Sequence, residues 1–372
     1  MRRALNIAMP LIMLGIFVLA IWYTAFRLHI HFDTVSFWIY QTIVAAVVIG
    51  TFALFIVTMK FPNWFVRTMN LLGGYTLMFL AYLGITLGIA HIALLLWDIP
   101  LLLSGVAALV VAFAITLTGV VLGNMFIVRE TKIKIPNLKN ELSVMQISDA
   151  HIGLLYGKKY LSKIVDATNS KNPDFVVITG DLTETKAALE QGVLNSLANF
   201  NAPAFFVEGN HDNYTGIENV LKKMDEQNIR VLRNEVAKTH GIQLIGLDYL
   251  KADNETYDMH PSENKNTVKS VLSEIKLKKD IPVVLISHSP SGVKYAAAAG
   301  VDLMVSGHTH KGQIFPFSIF AKLIFPFYGG LYQHENTQVF VSSGAGGIFA
   351  RMRLGSFNEI NLLKLIPDEQ LA

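Results

Sequence analysis

Four stretches of this 372-residue chain contain no Lys, Arg, Asp or Glu: roughly Ala4–Phe26, Val35–Met59, Asn70–Trp97 and Leu101–Val128. Each is long enough to cross a hydrocarbon core of about 30 Å as a helix. A secretory signal does not fit, because the first apolar run reaches Phe26 and three more segments follow it. Pro10 and Pro100 sit near segment starts, where a missing N–H costs a helix little. Only Asp98-Ile99-Pro100 separates the third and fourth segments, so these are expected to be adjacent antiparallel helices. Gly73, Gly84 and Gly105, with Gly74, Gly88, Gly119 and Gly123, are placed to let helices approach closely. His91 reads as a lone neutral histidine facing other helices rather than part of an ion pathway, since no segment holds a charged partner. His29 and His31, an isolated H-x-H in an outer loop, are too weak a signal for an external metal pair.

The charged residues give this half an orientation. With the N-terminus inside, Arg2, Arg3, Lys60, Arg67, Arg129, Lys132, Lys134 and Lys139 all fall on the cytoplasmic side, and Arg27 with Asp33 and Asp98 outside. That bias predicts an integral membrane protein whose large C-terminal domain is cytoplasmic. Beyond residue 140 the balance reverses to 22 basic and 25 acidic residues, so the overall +3 gives no reason to expect nucleic acid. The chain has no cysteine, which removes disulfides, thiolate ligands and a cysteine nucleophile.

From residue 141 onward, short β-branched apolar runs alternate with helical patterns, an α/β arrangement. Five of the runs end in metal-ligand residue types: Ser148-Asp149-Ala150-His151, Gly180-Asp181, Gly209-Asn210-His211-Asp212, Ser287-His288 and Gly307-His308-Thr309-His310. Residues just past strand ends converge on one edge of a sheet from distant parts of a chain. Helices are expected at Lys158–Asn169, around Glu184–Leu197, at Ile217–Gln227 and at Val268–Ile275. Late strands are expected at Gln338–Ser342 and Asn358–Leu363, where the sheet turns antiparallel. The expected domains are 1–128 as a four-helix transmembrane region, 129–140 as a basic linker and 141–372 as the soluble domain. Gly180, Gly209 and Gly307 are expected to permit tight turns at strand ends. Ser289 has no nucleophile elbow around it, and the chain has no phosphate loop of the G-x-x-x-x-G-K-[ST] kind.

Taken in order, SDAHIG at Ser148–Gly153, GDLTE at Gly180–Glu184, GNHDNY at Gly209–Tyr214, ISHSP at Ile286–Pro290 and GHTHKGQ at Gly307–Gln313 form a set. Together they resemble the calcineurin-like metallophosphoesterase family over essentially Glu141 to Leu365. The resemblance implies a four-layer α-β-β-α sandwich. It assigns Asp149, His151, Asp181 and His310 to one metal, and Asp181, Asn210, His288 and His308 to the second, with Asp181 bridging. Such a mixed N/O set suits two divalent ions such as Mn or Fe/Zn, and a metal pair activates water and neutralises phosphoryl charge. His211 resembles the family's non-ligand histidine, a proton donor to phosphoryl or leaving oxygen. Asp212 is expected either to orient His211 or to cap the following turn, and His240, His260 and His334 to take loop or surface roles.

Ile314 to Leu331 reads IFPFSIFAKLIFPFYGGL, fourteen apolar residues with Lys322 the sole charge. Pro316, Pro326 and Gly329-Gly330 argue against a long buried helix. An interfacial flap that presents Phe315, Phe317, Phe325 and Phe327 to lipid is the preferred reading, with ordinary core packing as the alternative. This insertion, with the later Ser342-Ser343-Gly344-Ala345-Gly346-Gly347, Arg351 and Arg353, is similar to a membrane-associated branch of the family. That branch includes hydrolases of phospholipids and of UDP-2,3-diacylglucosamine. Two departures bear on substrate: Lys311 replaces a glycine, where it is a candidate headgroup contact, and Asn358 replaces a proline. The expected partners are membrane lipids and an amphiphilic phosphorylated substrate. A soluble phosphodiester is the second reading, and a scaffold or sensor with structural metals the third.

Overall fold

The computed structural model describes residues 2–60, 64–253, 255, 256, 258 and 260–368. They fall into two units, Met1–Val121 and Leu122–Ala372. The first is all-helical: α1 (Arg2–Phe32), α2 (Phe37–Lys60), α3 (Trp64–Leu96) and α4 (Leu101–Asn124). All four are long and apolar enough to cross a membrane. Small and aliphatic side chains such as Ala25, Leu83, Leu87 and Ala112 are buried between them, while Ile49, Ile89 and Leu95 point outward, as lipid-facing residues must. Thr86 Oγ1 donates to Ala108 O at 3.0 Å, joining α3 to α4. A Cβ at Gly84 would stand 2.9 Å from Thr24 Oγ1, so this glycine sets the α1–α3 approach.

The second unit contains two six-stranded sheets. Its strands are β1 (Phe126–Ile135), β2 (Leu142–Ile147), β3 (Phe175–Thr179), β4 (Ala204–Val207), β5 (Arg230–Val231), β6 (Glu235–Thr239), β7 (Ile242–Gly246), β8 (Val283–Ile286), β9 (Leu303–Ser306), β10 (Gly330–His334), β11 (Thr337–Val341) and β12 (Asn358–Pro367). Helices α5 (Lys158–Asn169), α6 (Asn210–Glu226), α7 (Val268–Glu274), α8 (Val293–Ala298) and α9 (Ser318–Ile324) connect them. One sheet has the order β1-β12-β2-β3-β4-β5 and the other β10-β11-β9-β8-β7-β6.

The period of two in each strand explains the layering. Phe175 and Val177 of β3, Phe205 and Val207 of β4, and Val284 and Ile286 of β8 all enter one core between the sheets. Their sequence neighbours Val176, Ile178 and Phe206 enter a second core with Leu161, Ile164 and Val220 from α5 and α6. Val283, Leu285 and Met304 enter a third, with Val271 and Val293 from α7 and α8. Strands apolar on both faces thus give an α-β-β-α sandwich.

Several local expectations change. The basic stretch at 129–140 is not a free linker over its first half. Residues 126–135 form β1, paired in parallel along its length with β12 from Phe126↔Asn358 to Ile135↔Pro367. Its lysines alternate with Ile133 and Ile135, which are buried at 1% and 0% exposure, so the strand period was present beneath the charge. This also ends α4 at Asn124, short of Val128. Around Glu184–Leu197 there are two short 3₁₀ turns, Lys186–Leu189 and Asn195–Asn199, rather than one helix. The helix expected from Ile217 begins at Asn210, and Gly216 at φ 111° kinks it. In the first unit α1 runs past Phe26 through Arg27, which is buried inside the bundle rather than lying in an outer loop.

Candidate metal centre

All five ligand-bearing turns follow strands whose C-terminal ends share one edge of the sandwich: β2, β3 and β4 in one sheet, β8 and β9 in the other. The chain passes through these turns at an uncommon backbone conformation. Asp149, His151, Asp181, His308 and His310 have φ between 47° and 73°, a left-handed region that non-glycine residues seldom occupy. Such backbone is retained where surrounding structure over-determines it, typically at functional sites.

Two of the glycines have a different task from the one expected. Gly180 does turn with φ 79°, but a Cβ at Gly209 would stand 2.2 Å from Asp181 Oδ1. One at Gly307 would stand 2.1 Å from Asp149 Oδ2. Both are there to let a carboxylate lie against the backbone. Asp149 in turn accepts from the His308 N–H at 3.0 Å, and Asp181 from the His211 N–H at 2.8 Å.

The turns bring the expected residues together. Ligand atoms of Asp149, His151 and His310 lie within 4.8 Å of one another, as do those of Asp181, His288 and His308. Asp181 Oδ2 is 3.1 Å from His288 Nε2 and 3.9 Å from His151 Nε2, between the two groups. His151 Nε2 faces His310 Nε2 at 3.1 Å, and His308 Nδ1 faces His288 Nε2 at 3.0 Å. Asn210 Oδ1 and His310 Nδ1 are buried with no hydrogen-bond partner among the described residues. Buried acceptors left unpaired are costly, and a bound cation satisfies a lone pair such as that of Asn210 Oδ1. The donor set fits two divalent ions held by nitrogen and oxygen.

The electrostatics agree. Burial alone would push the Asp181 carboxyl up, but His288 and His151 beside it hold it well below the usual carboxylate range. Burial would lower His288, yet facing Asp181 and Asp149 it is pushed up to about 10. His310, buried beside His151 and Arg353, is held well below the usual histidine value, which favours the neutral imidazole with one ring nitrogen able to coordinate.

His211 stands beside this cluster. Its Nδ1 is 2.9 Å from Glu184 Oε2, the same oxygen that meets His151 Nδ1 at 2.5 Å. Burial would lower His211, but the bond to Glu184 and the charge of Asp181 raise it to about 9. Glu184, not Asp212, therefore orients His211. Asp212 takes the capping alternative, accepting from Gly209 N at 2.9 Å and from Thr183 N and Oγ1 at 2.9 and 2.8 Å.

The neighbouring cavity of about 190 Å³ is lined by Asp181, Asn210, His211, His308 and His310, together with His260, Ala321 and Phe325. Three residues here were not legible in the motifs. His260, expected in a loop or on the surface, does lie in a loop, with its ring 5.3 Å from that of His308. Asp258 holds His308 Nε2 at 3.1 Å and accepts from Tyr249 Oη at 2.9 Å. Both come from a polar loop with no periodic signal. Arg353, fully buried, binds the carbonyls of His310, Ser343, Gly344 and Gly346.

The insertion partly follows expectation. Phe315 and Phe317 are exposed at 51% and 42%. Phe325 is instead buried, its ring centroid 5.8 Å from that of His308 in an edge-to-face arrangement, and Phe327 packs on the third core beside Tyr332. Lys311 does not line the cavity, and its alkyl stem lies against Gly329.

The calcineurin-like phosphoesterase family matches residues 142–312, a span holding every one of these ligand residues. Residues 142–312 are a calcineurin-like metallophosphoesterase domain. Chains similar to this one include a Helicobacter pylori metallophosphoesterase, 35% identical over 248 residues and covering 65% of each chain. A Danio rerio transmembrane protein with a metallophosphoesterase domain is 34% identical over 245 residues, covering 62% of this chain and 55% of its own. A Campylobacter jejuni metallophosphoesterase is 33% identical over 243 residues, covering 64% and 63%. The chain thus spans less than two thirds of the length of these relatives. In this chain the metallophosphoesterase domain is fused to a hydrophobic four-helix region.

Proposed function

We propose that this chain hydrolyses a phosphoester or pyrophosphate bond in an amphiphilic substrate at a membrane surface. The observation that carries the substrate class is the apolar face of α9 and its flanks, beside the metal cavity. Phe317, Ile319, Phe320, Leu323 and Ile324 are exposed at 39–77%, while Ala321 of the same helix and the adjoining Phe325 line the cavity. A short helix that gives one side to solvent as pure hydrocarbon and another to an active cavity suits an interface that feeds acyl-bearing molecules inward.

In this reading Asp149, His151, Asp181 and His310 hold one ion, and Asp181, Asn210, His288 and His308 the other. Two divalent cations bound there supply Lewis acidity toward water and the phosphoryl oxygens. His211, held by Glu184, presents Nε2–H to the cavity and donates its proton to the departing oxygen. Asp258 fixes the orientation of His308 by holding its other ring nitrogen.

Replacing Phe317, Phe320 and Leu323 together by Ser tests the amphiphile reading. We expect kcat/KM on micellar or bilayer phospholipid to fall about tenfold or more relative to a small soluble phosphodiester, since each side chain loses apolar burial at the interface. Metal content should be unchanged. An unchanged ratio would assign the domain to a soluble substrate.

The basic flanks further support a reading in which the metallophosphoesterase domain is cytoplasmic. Because the chain has no cysteine, exposed Asp33 and Lys279 can each be made Cys singly. A membrane-impermeant maleimide should label Asp33→Cys in intact cells and Lys279→Cys only after lysis. The opposite pattern would invert the topology.

A further inference from the structure

The four-helix unit carries a buried cation with no counter-charge. Arg27 of α1 is 6% exposed. His31, one turn on, lies 2.9 Å through Nδ1 from the carbonyl of Leu101, so that nitrogen carries the proton and Nε2 is left as an acceptor. Nε2 then accepts from Arg27 Nη2 at 3.2 Å. This makes His31 neutral and leaves the guanidinium charge uncompensated. Arg27 Nε is buried without a partner, and no carboxylate lies within ion-pair distance among the described residues. Asp33, the nearest acid in sequence, is 85% exposed and lies beside His29 at 3.8 Å.

A fixed charge enclosed by apolar helices is expensive unless something pairs with it. A guanidinium offers a planar fork of donors that matches a phosphate, and here most of that fork is unused. One turn below, Tyr23 Oη reaches His91 Nδ1 at 3.3 Å, so α1 presents Tyr23, Arg27 and His31 along one face. The depth is suitable. Thirty-one residues make α1 about 46 Å long against a hydrocarbon core of about 30 Å. Arg27 lies five residues from its end at Phe32, about 7 Å in, near headgroup level.

We propose that Arg27, oriented by His31, forms a phosphate-binding site in the helical unit, separate from the metal centre. The phosphate comes from an anionic phospholipid headgroup or from free phosphate, and the experiment separates the two. All four tryptophans, Trp22, Trp38, Trp64 and Trp97, lie in the helical unit, so tryptophan emission excited selectively over tyrosine reports that unit alone. In dodecyl maltoside, phosphatidylglycerol should give a saturable fluorescence change and raise the unfolding temperature, whereas diacylglycerol should do neither. Arg27→Gln should weaken the apparent affinity about tenfold or more, and Arg27→Lys, which keeps charge but loses the fork, by less.

A merely structural role predicts a different pattern. Without lipid, Arg27→Gln should unfold at the wild-type temperature or above it, because an unpaired buried charge has been removed, and it should lose only the gain given by phosphatidylglycerol. Saturation by inorganic phosphate with the same dependence on Arg27 would identify free phosphate as the occupant. Identical phosphatidylglycerol titrations for wild type and Arg27→Gln would overturn the proposal, as would the absence of a saturable response to either probe. Should Arg27→Gln not fold, Arg27→Lys carries the comparison, and wild-type affinity in that variant counts against the site.

Discussion

Asp181→Asn is expected to lower phosphoester turnover roughly a thousandfold or more while leaving the four-helix unit inserted. The warrant is position. Asp181 Oδ2 lies between His288 and His151, and Oδ1 accepts from the His211 N–H. An amide in its place keeps the shape but loses the charge that two cations would share in the proposed bridging position, and a metal pair contributes several kcal/mol to such reactions. The loss should appear in metal stoichiometry, read by elemental analysis of the purified chain, together with turnover. Two tightly held metals and near-native turnover in this variant would remove Asp181 from the bridging position.

Arg353→Met should produce the largest loss of stability. The guanidinium is wholly buried and donates to the carbonyls of His310, Ser343, Gly344 and Gly346, to Ser356 Oγ at 3.2 Å and to Asn358 Oδ1 at 3.0 Å. Methionine fills much of the volume and satisfies none of these acceptors. Leaving several buried carbonyls unpaired costs about 3–5 kcal/mol in sum. For a unit of this size that is on the order of 10 °C in unfolding temperature. The residue also pins the His310 carbonyl, so metal affinity should fall with stability. Differential scanning calorimetry with and without added Mn separates the two effects. A variant with wild-type unfolding temperature would show that these carbonyls find other donors.

The cluster of candidate ligands was legible because each sits where a short apolar run stops, and the chemistry of Asp, Asn and His is written in the residue types. The backing was less so. Glu184 lay within a quoted motif, but its bond to His211 depends on a turn that brings the two together across 27 residues. Asp258 and His260 come from a loop whose composition says only that it is polar. Arg353 looked like a late basic residue, and only tertiary burial shows that it gathers the glycine-rich segment. The Asn358 departure likewise acquires a use in three dimensions, accepting from Arg353 Nε and donating to Gly123 O at 2.6 Å. The flap was read as one apolar string, whereas tertiary contacts divide it into an outward face and the inward Phe325 and Phe327.

Strand β1 has a consequence for the way this protein is made. It emerges directly after α4, yet among the described residues its sole sheet neighbour is β12, with Phe126 opposite Asn358. At ribosomal speeds of about 5–20 residues per second, β1 waits roughly ten seconds or more for that partner. A ten-residue strand left unpaired for that long is a template for pairing with the wrong chain. Arg129, Glu130, Lys132 and Lys134 are exposed on it. Arg129, Lys132 and Lys134, which are also among the basic residues flanking the helices, therefore keep a newborn edge soluble until β12 has been made.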